Sequence, residues 1–489
     1  MLGWFFLDIL IGVWAKEYGP PHIEVNWITP TADGGYAAVG NYTTTWGGSR
    51  DLLVFKLSQD GSVEWANVFG DSGDDRGEAI IECSDGDFGV AGYTNSFGGG
   101  YDLIVLKLGS DGALRWARIV GGTNSYDYAF GLVESPDNGL VIAGYTWDAA
   151  LDPQITVIKM NSTGSLQWAK QYGDAGIENG FSLTKTSDGG YIVVGRKDQG
   201  GIVLKLQWDG NPQWARVFDG LEFHGVDIGF DLSLYVTGFT NAYGAGSYDM
   251  AILKLSSDGS LIWAKTLGGS DYEYGWSVTQ VDNGGCASAG WTKSFGSGIT
   301  DFIIAKLASD GSLEWAKTFG AGGEERAYSI RQNAAGFIIC GYPISATSSR
   351  AIVMRIGVNG DYQGCVQDCN PIIMEPTLNI SSPQVPTAAW AISVGNPVMS
   401  PISLSLVSND LCPSLYDRET EPPLSPITCF SVPGGLVFRS VIESEIDLYA
   451  YDGRLVYFGR IRKGSTRIDL RRGVYIWRAG SYRGKGIVK

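Results

Sequence analysis

The feature that most constrains this chain is a Trp-Ala dipeptide returning at Trp14, Trp65, Trp116, Trp168, Trp214, Trp263 and Trp315, with spacings of 51, 51, 52, 46, 49 and 52 residues. A period of this size means that one supersecondary unit is copied, because a single unit cannot bury its own apolar face. Each copy carries three further pieces. A turn and apolar run ends in Gly, as in "DGGYAAVGNYT" and "DNGLVIAGYT"; a strand follows, as in "DLLVFKL" and "DFIIAKL"; a second turn, as in "SSDGSLIWAK", leads into the Trp strand. Asp-Gly and Asn-Gly pairs between apolar runs are hairpin signals, since Gly enters the positive-φ turn position without steric cost. With the segment after each Trp strand, such as "YGWSVTQV", every unit supplies four short strands. Four strands per period is the pattern of a β-propeller blade. The expected fold is all-β: a seven-bladed β-propeller, an extended linker and a small C-terminal β-sandwich.

The repeat also sorts single residues. A Trp present in every unit reads as inter-blade packing. The basic residue of the third strand (Lys56, Lys107, Lys159, Lys205, Lys254, Lys306 and Arg355) reads as a cross-strand partner. The seventh unit has lost its own Trp, with Gly364 at that position, whereas Trp14 in "IGVWAKEYGP" is a spare copy 51 residues before Trp65. The N-terminal strand is therefore expected to complete the last blade and remove two free edges. Residues 1–12 have the apolar character of a signal peptide remnant, so any cleavage is expected before Val13.

Charge is unevenly spread. The net charge is −16, yet residues 430–489 hold 12 Lys and Arg against 5 Asp and Glu, leaving −23 on the residues before them. An acidic body argues against nucleic acid as a partner. Two His among 489 residues make a zinc cluster improbable, and no apolar run reaches the ~18 residues that span a bilayer. Composition divides the chain into residues 1–12, a propeller over 13–368, a Pro- and Ser-rich linker over 369–429 and a basic domain over 430–489. Strands are expected in the linker around "AWAISV" and "SLSLVS". Cys365, Cys369, Cys412 and Cys429 bracket it and suggest one or two disulfides in an oxidising compartment; Cys286 and Cys340 read as buried thiols.

In an up-and-down blade the 1–2 and 3–4 hairpins emerge on one face, the 2–3 and 4–1 connections on the other. The Asp-Gly turns make the first face uniform, so function is expected on the second. Two candidate sets lie there. Glu24, Asp75, Asp127, Glu178, Glu273 and Glu325, with His224, follow the Trp by about ten residues and lead into the first strand, where they would form an acidic ring at the channel mouth. Their carboxylates would either accept turn N–H groups or face a cation such as calcium or a basic partner. No EF-hand spacing is present, so a metal would need ligands from several blades. The second set is a Gly-flanked aromatic, Trp46, Phe97, Tyr243 and Phe295, suited to stacking on sugars or to filling space between blades. No catalytic motif and no resident cofactor is read from the chain: the two His are isolated and no Ser-His-Asp arrangement has local support.

The last 60 residues alternate apolar and polar residues between Gly turns. "LYAYDGRLVYF", then "IDLRRGVYIWRA", then "GKGIVK" resemble the C-terminal sorting domain of type IX secretion cargo (the Por system), through Asp452-Gly453-Arg454, Gly473-Val474-Tyr475 and Lys485 to Lys489. "VPGGLVF" stands where such domains open with Asn-Pro. The resemblance implies export across an outer membrane and an extracellular or cell-surface location. The propeller resembles the Trp-Ala-Lys repeat proteins that precede such domains and, more loosely, quinoprotein repeats. The function expected is a monomeric, non-catalytic binding or adhesion module. Its partners would be a glycan or surface protein and the export machinery. A secreted polysaccharide-active enzyme is the alternative, and a quinoprotein-like propeller the third.

Overall fold

The computed structural model describes residues 13–410 with short gaps, the longest before residue 381 being 44–47 and 345–349, and strands between residues 427 and 488. Every regular element among the described residues is a strand. Seven antiparallel sheets repeat one order around a ring, so the chain is a seven-bladed β-propeller. Their first strands are Ile23–Pro30, Asp75–Glu82, Ser125–Glu134, Glu178–Lys185, Leu221–Ile228, Glu273–Gln280 and Glu325–Asn333, which we number blades 1 to 7. Trp14–Tyr18 pairs with Ala351–Ile356, Trp14 opposite Arg355, and is the fourth strand of blade 7.

The apolar core forms seven clusters, each joining two neighbouring blades, as where Val39 and Val54 of blade 1 meet Ile80 and Val90 of blade 2. The recurring Trp works at these joints. Each indole covers the 3–4 turn of the next blade, where a Gly holds φ between +72° at Gly360 and +82° at Gly311. A Cβ there would lie 2.7 Å from the ring for Gly259 on Trp214 and 3.1 Å for Gly360 on Trp315, the other five falling between. The turn thus needs Gly twice, for its backbone and for the indole above it. Trp14, Trp65 and Trp263 each donate Nε1 to a carbonyl of that turn at 3.0 Å. On the same face five of the six third-strand lysines are buried against a 1–2 turn carboxylate, among them Lys56 on Asp33 at 2.8 Å, Lys107 on Asp85 at 3.0 Å and Lys205 on Asp188 at 2.7 Å; Lys306 pairs instead with Glu314 of the fourth strand.

The stretch read as a linker is extended, but it is paired. Val366–Asp368, Ile372–Met374, Ile380–Ser381, Thr387–Ala389, Ser393–Gly395, Ile402–Ser403 and Ser408–Asp410 add a fifth, outermost strand to blades 6, 5, 4, 3, 2, 1 and 7 in turn. The chain runs back around the ring as a belt, and its last strand covers Trp14–Tyr18, with Lys16 opposite Asp410. Unpaired outer edges are open to further strand addition, and the belt occupies all seven. Its composition suits this. None of the six prolines of residues 366–410 falls in a paired segment, as the missing N–H of proline requires. Leu378 and Met399 pack from the belt against inter-blade clusters, and Lys265 is ion-paired with Glu375.

The chain divides into two compact units at Cys412–Pro413, so the belt belongs with the propeller rather than between two domains. In the second unit Ile427–Val432, Gly435–Ser440 and Gly464–Asp469 form one antiparallel sheet; Leu455–Ile461, Ser444–Ala450, Gly473–Ala479 and Tyr482–Val488 form another. Cys83, Cys286 and Cys340 are buried thiols within the blades. Cys365, Cys412 and the side chain of Cys429 lie outside the described residues, as do residues 1–12. No helix among the described residues is long and apolar enough to cross a membrane.

Candidate functional site

In every blade the pairing of the first two strands slips by one residue at the same place. A bulge leaves one residue out of the ladder and re-aims its side chain. The seven bulged residues are Asn26, Glu78, Phe130, Phe181, His224, Trp276 and Tyr328, and all seven line one central cavity of about 370 Å³. In six blades a small residue follows (Ala79, Gly131, Ser182, Gly225, Ser277 and Ser329) and then an aliphatic core residue. Close approach of adjacent inner strands requires the small residue: a Cβ on Gly131 would lie 2.7 Å from the Leu183 nitrogen. Blade 1 instead carries Trp27, which reaches the cavity and has the Arg331 guanidinium 4.1 Å from its ring centre.

The cavity has two unlike sides. Five consecutive blades supply an aromatic arc. Phe130 meets Phe181 edge-on at 5.8 Å; Phe181 and Trp276 sandwich His224 at 4.6 and 4.2 Å; Trp276 meets Tyr328 edge-on at 5.4 Å; Tyr328 stacks on Tyr342 at 4.8 Å. His224 Nε2 lies 3.0 Å from Glu222 Oε1, which fixes the ring in the plane of its sandwich. Beside it, a polar recess of about 140 Å³ is bordered by Arg196, Glu222, Asn241 and Tyr248.

Blades 1 and 2 supply the other side. Asn26 donates to the Gly77 carbonyl at 2.9 Å. Glu24 accepts from Asn41 at 3.1 Å and from Arg50 Nε and Nη2 at 3.3 Å. Arg76 donates to Asp74 at 3.1 Å with its guanidinium 5.7 Å from the Tyr93 ring centre. Glu78 is different: it has no hydrogen bond or ion pair among the described residues. Burial pushes its carboxyl up to about 8; Arg76 opposes the shift and Glu24 adds to it. A carboxyl raised in this way favours its protonated form, which can donate as well as accept.

Of the carboxylates expected in an acidic ring, only Glu24 lines this cavity. Asp75, Glu178, Glu273 and Glu325 begin their inner strands and Asp127 is the third residue of its own; all five are one residue out of phase with Glu24 and are buried. Most are engaged locally. Asp75 accepts from Ser96 at 2.6 Å and the Asp71 N–H at 3.0 Å, Asp127 from the Gly122 N–H at 3.0 Å, and Glu273 from the Gly269 N–H and Thr292 at 2.7 Å. Glu178 is ion-paired with Lys197. Three further carboxyls face them from the start of third strands. Burial and then the neighbouring carboxylate raise Asp51 and Asp102 to about 6, and the same causes raise Asp249, whose turn N–H bonds oppose them. Among the described residues no group of three or more His, Cys, Asp or Glu is arranged to hold a metal.

Phe97, Tyr243 and Phe295 do not line the cavity. Phe97 and Phe295 pack half-buried against inter-blade clusters, Tyr243 sits over Gly220, and Trp46 lies outside the described residues. The bulged residues other than His224 were not singled out in the sequence. Their signal is an arbitrary residue before a small and then an aliphatic one, as in "FSL", "WSV" and "YSI".

Neither a family model nor a curated protein matches the sequence. Similar solved structures include a puromycin hydrolase (14% identity, TM-score 0.45, covering 71% of this chain and 54% of that one). Sqt1 from Chaetomium thermophilum is similar at 13% identity and TM-score 0.41, covering 72% and 87%. Drosophila Plexin A, in complex with Semaphorin 1b, is similar at 8% identity and TM-score 0.37, covering 70% and 87%. The chain spans about half the length of the puromycin hydrolase. At these values the likeness concerns fold and not activity.

Proposed function

We propose that this protein is an exported binding module that receives a carbohydrate end group in its central cavity and does not transform it. One observation carries this reading: seven bulges at one repeat position aim six kinds of side chain into a single cavity. At the positions that join the blades, by contrast, the repeat keeps one residue type. An arc of rings opposite amide, guanidinium and carboxyl groups matches the two surfaces of a sugar, a C–H face that packs on rings and hydroxyls that bond polar groups. A glycan, free or carried on a surface protein, is the partner this chemistry favours. Export rests on the basic C-terminal segment and its resemblance to a sorting domain. Quenching of tryptophan fluorescence by oligosaccharides tests the binding. It is expected in the natural protein and lost in Trp276→Ala; an unchanged affinity in Trp276→Ala would remove the cavity as the site.

A second reading has one observation in its favour. Burial favours a proton on Glu78 beside Glu24, and glycoside hydrolysis uses one protonated and one ionised carboxyl. Glu24, however, already accepts from Arg50 and Asn41. Release of reducing sugar from a polysaccharide, abolished by Glu78→Gln, would replace the non-catalytic reading with this one.

A further inference from the structure

The inner hairpin of blade 3 differs from the other six. Its strands Ser125–Glu134 and Leu140–Asp148 have 10 and 9 residues, where the other first strands have 8 or 9. Below the bulge at Phe130, Tyr128 pairs with Tyr145; one step further out, Tyr126 pairs with Trp147. The rings form a continuous ladder. Phe130 and Tyr145 stack at 5.7 Å, Tyr145 and Tyr128 lie 5.0 Å apart, and Tyr126 and Trp147 lie 5.8 Å apart. Tyr101 of blade 2 bridges the two steps, 5.6 Å from Tyr128 and 6.3 Å from Tyr126. The inner rings Phe130, Tyr128 and Tyr145 are half-buried, while Tyr126 is 41% and Trp147 50% exposed. The series therefore ends in two adjacent rings with surface open to water, a face a ligand can cover.

The geometry points to a linear, uncharged glycan chain lying along this ladder, with its terminal sugar in the cavity and its later sugars on Tyr128, Tyr126 and Trp147. This rests on the carbohydrate reading of the cavity and gives it a direction and a chain length. Three features select that occupant. Successive rings are tilted by 32° to 44° between Tyr128 and Trp147, a stepped platform and not a closed pocket. Hydroxyl and charged groups flank the rings: Tyr101 lies 3.4 Å from the Asp74 carboxylate, which also holds Arg76. These groups pair with one another, and their phenol and carboxylate oxygens keep lone pairs that sugar hydroxyls can use and a purely apolar segment cannot. The −23 charge of the residues before 430 disfavours a polyanionic chain.

Calorimetric titration of the full chain with neutral cello-, xylo- and chito-oligosaccharides, from mono- to hexasaccharide, tests this. Affinity is expected to rise with length in at least one series. Tyr126→Ala/Trp147→Ala should lower affinity for the longest member by about fivefold to tenfold and leave the shortest unchanged. Both rings are exposed, so an unchanged melting temperature is expected of this variant and confirms its fold. Length-independent affinity in the natural protein, or a length dependence that survives the double substitution, overturns the ladder and leaves the cavity reading standing. Absence of binding across all series overturns both together. Binding that persists in Trp276→Ala with its length dependence intact overturns the cavity as the seat of the terminal sugar.

Discussion

The rim and the axle of this propeller use the same repeat in opposite ways. At the rim, each blade presents one Trp to the next blade's turn Gly, one basic residue in its third strand and one outer edge to the belt. At the axle, each blade presents one bulged residue, and these are Asn, Glu, Phe, Phe, His, Trp and Tyr. A joint made seven times tolerates little variety, because every blade meets the same neighbour. A cavity assembled from seven single contributions has no such requirement, so its chemistry is free to be asymmetric. The difference separates residues that hold the ring from residues that face a ligand.

Removing the belt is the severest way to break the comparison. A chain ending at residue 412 should melt like the natural propeller, since the units divide there. One ending at residue 362 loses strand pairing on all seven blades. With about 1 kcal/mol net per hydrogen bond, its stability should fall by several kcal/mol, with aggregation through bare edges. Equal melting temperatures for the two would make the belt an ornament. Next is Trp14→Ala, which empties the joint over Gly61 and the hydrogen bond to the Gln59 carbonyl. A cost of about 3 kcal/mol is expected in denaturant unfolding. An unchanged midpoint would show that the ring does not need its N-terminal strand. At the axle, Glu78→Gln probes protonation. Burial pushes the folded carboxyl up to about 8, from a reference value of 4.5. The folded state therefore binds the proton more tightly, and this contribution, full below pH ~4.5, is lost as pH rises towards 8 and beyond. Stability of the natural protein should decline across that window, and the Gln variant should decline less; superimposable profiles would contradict the assignment.

The sequence displayed the rim far better than the axle. Each joint uses one residue type at one offset, so the Trp period exposed blade count and strand order, and the spare Trp14 marked the position that Trp14–Tyr18 takes in blade 7. Counting ten residues on from the Trp reached the cavity only at Glu24 and His224, for a geometric reason. Unit lengths vary, and in a strand a shift of one residue exchanges the cavity face for the blade interior. Glu24 thus stands in register with Arg76, not with Asp75. A bulge adds a further residue that no alternation pattern anticipates. The belt was hidden because its paired segments are two or three residues long and show no period.

The most direct measurement takes Trp276→Ala and Trp263→Ala side by side, recording melting temperature and oligosaccharide affinity on each. Trp276 faces the cavity and Trp263 covers the Gly311 turn, so one fold contains the same residue type in both roles. Trp276→Ala should abolish binding at a stability cost within about 1 kcal/mol, whereas Trp263→Ala should cost about 3 kcal/mol and leave affinity intact. If both variants lose stability and affinity together, or if Trp276→Ala keeps its affinity, rim and axle do not divide the work and the central cavity is not the binding site.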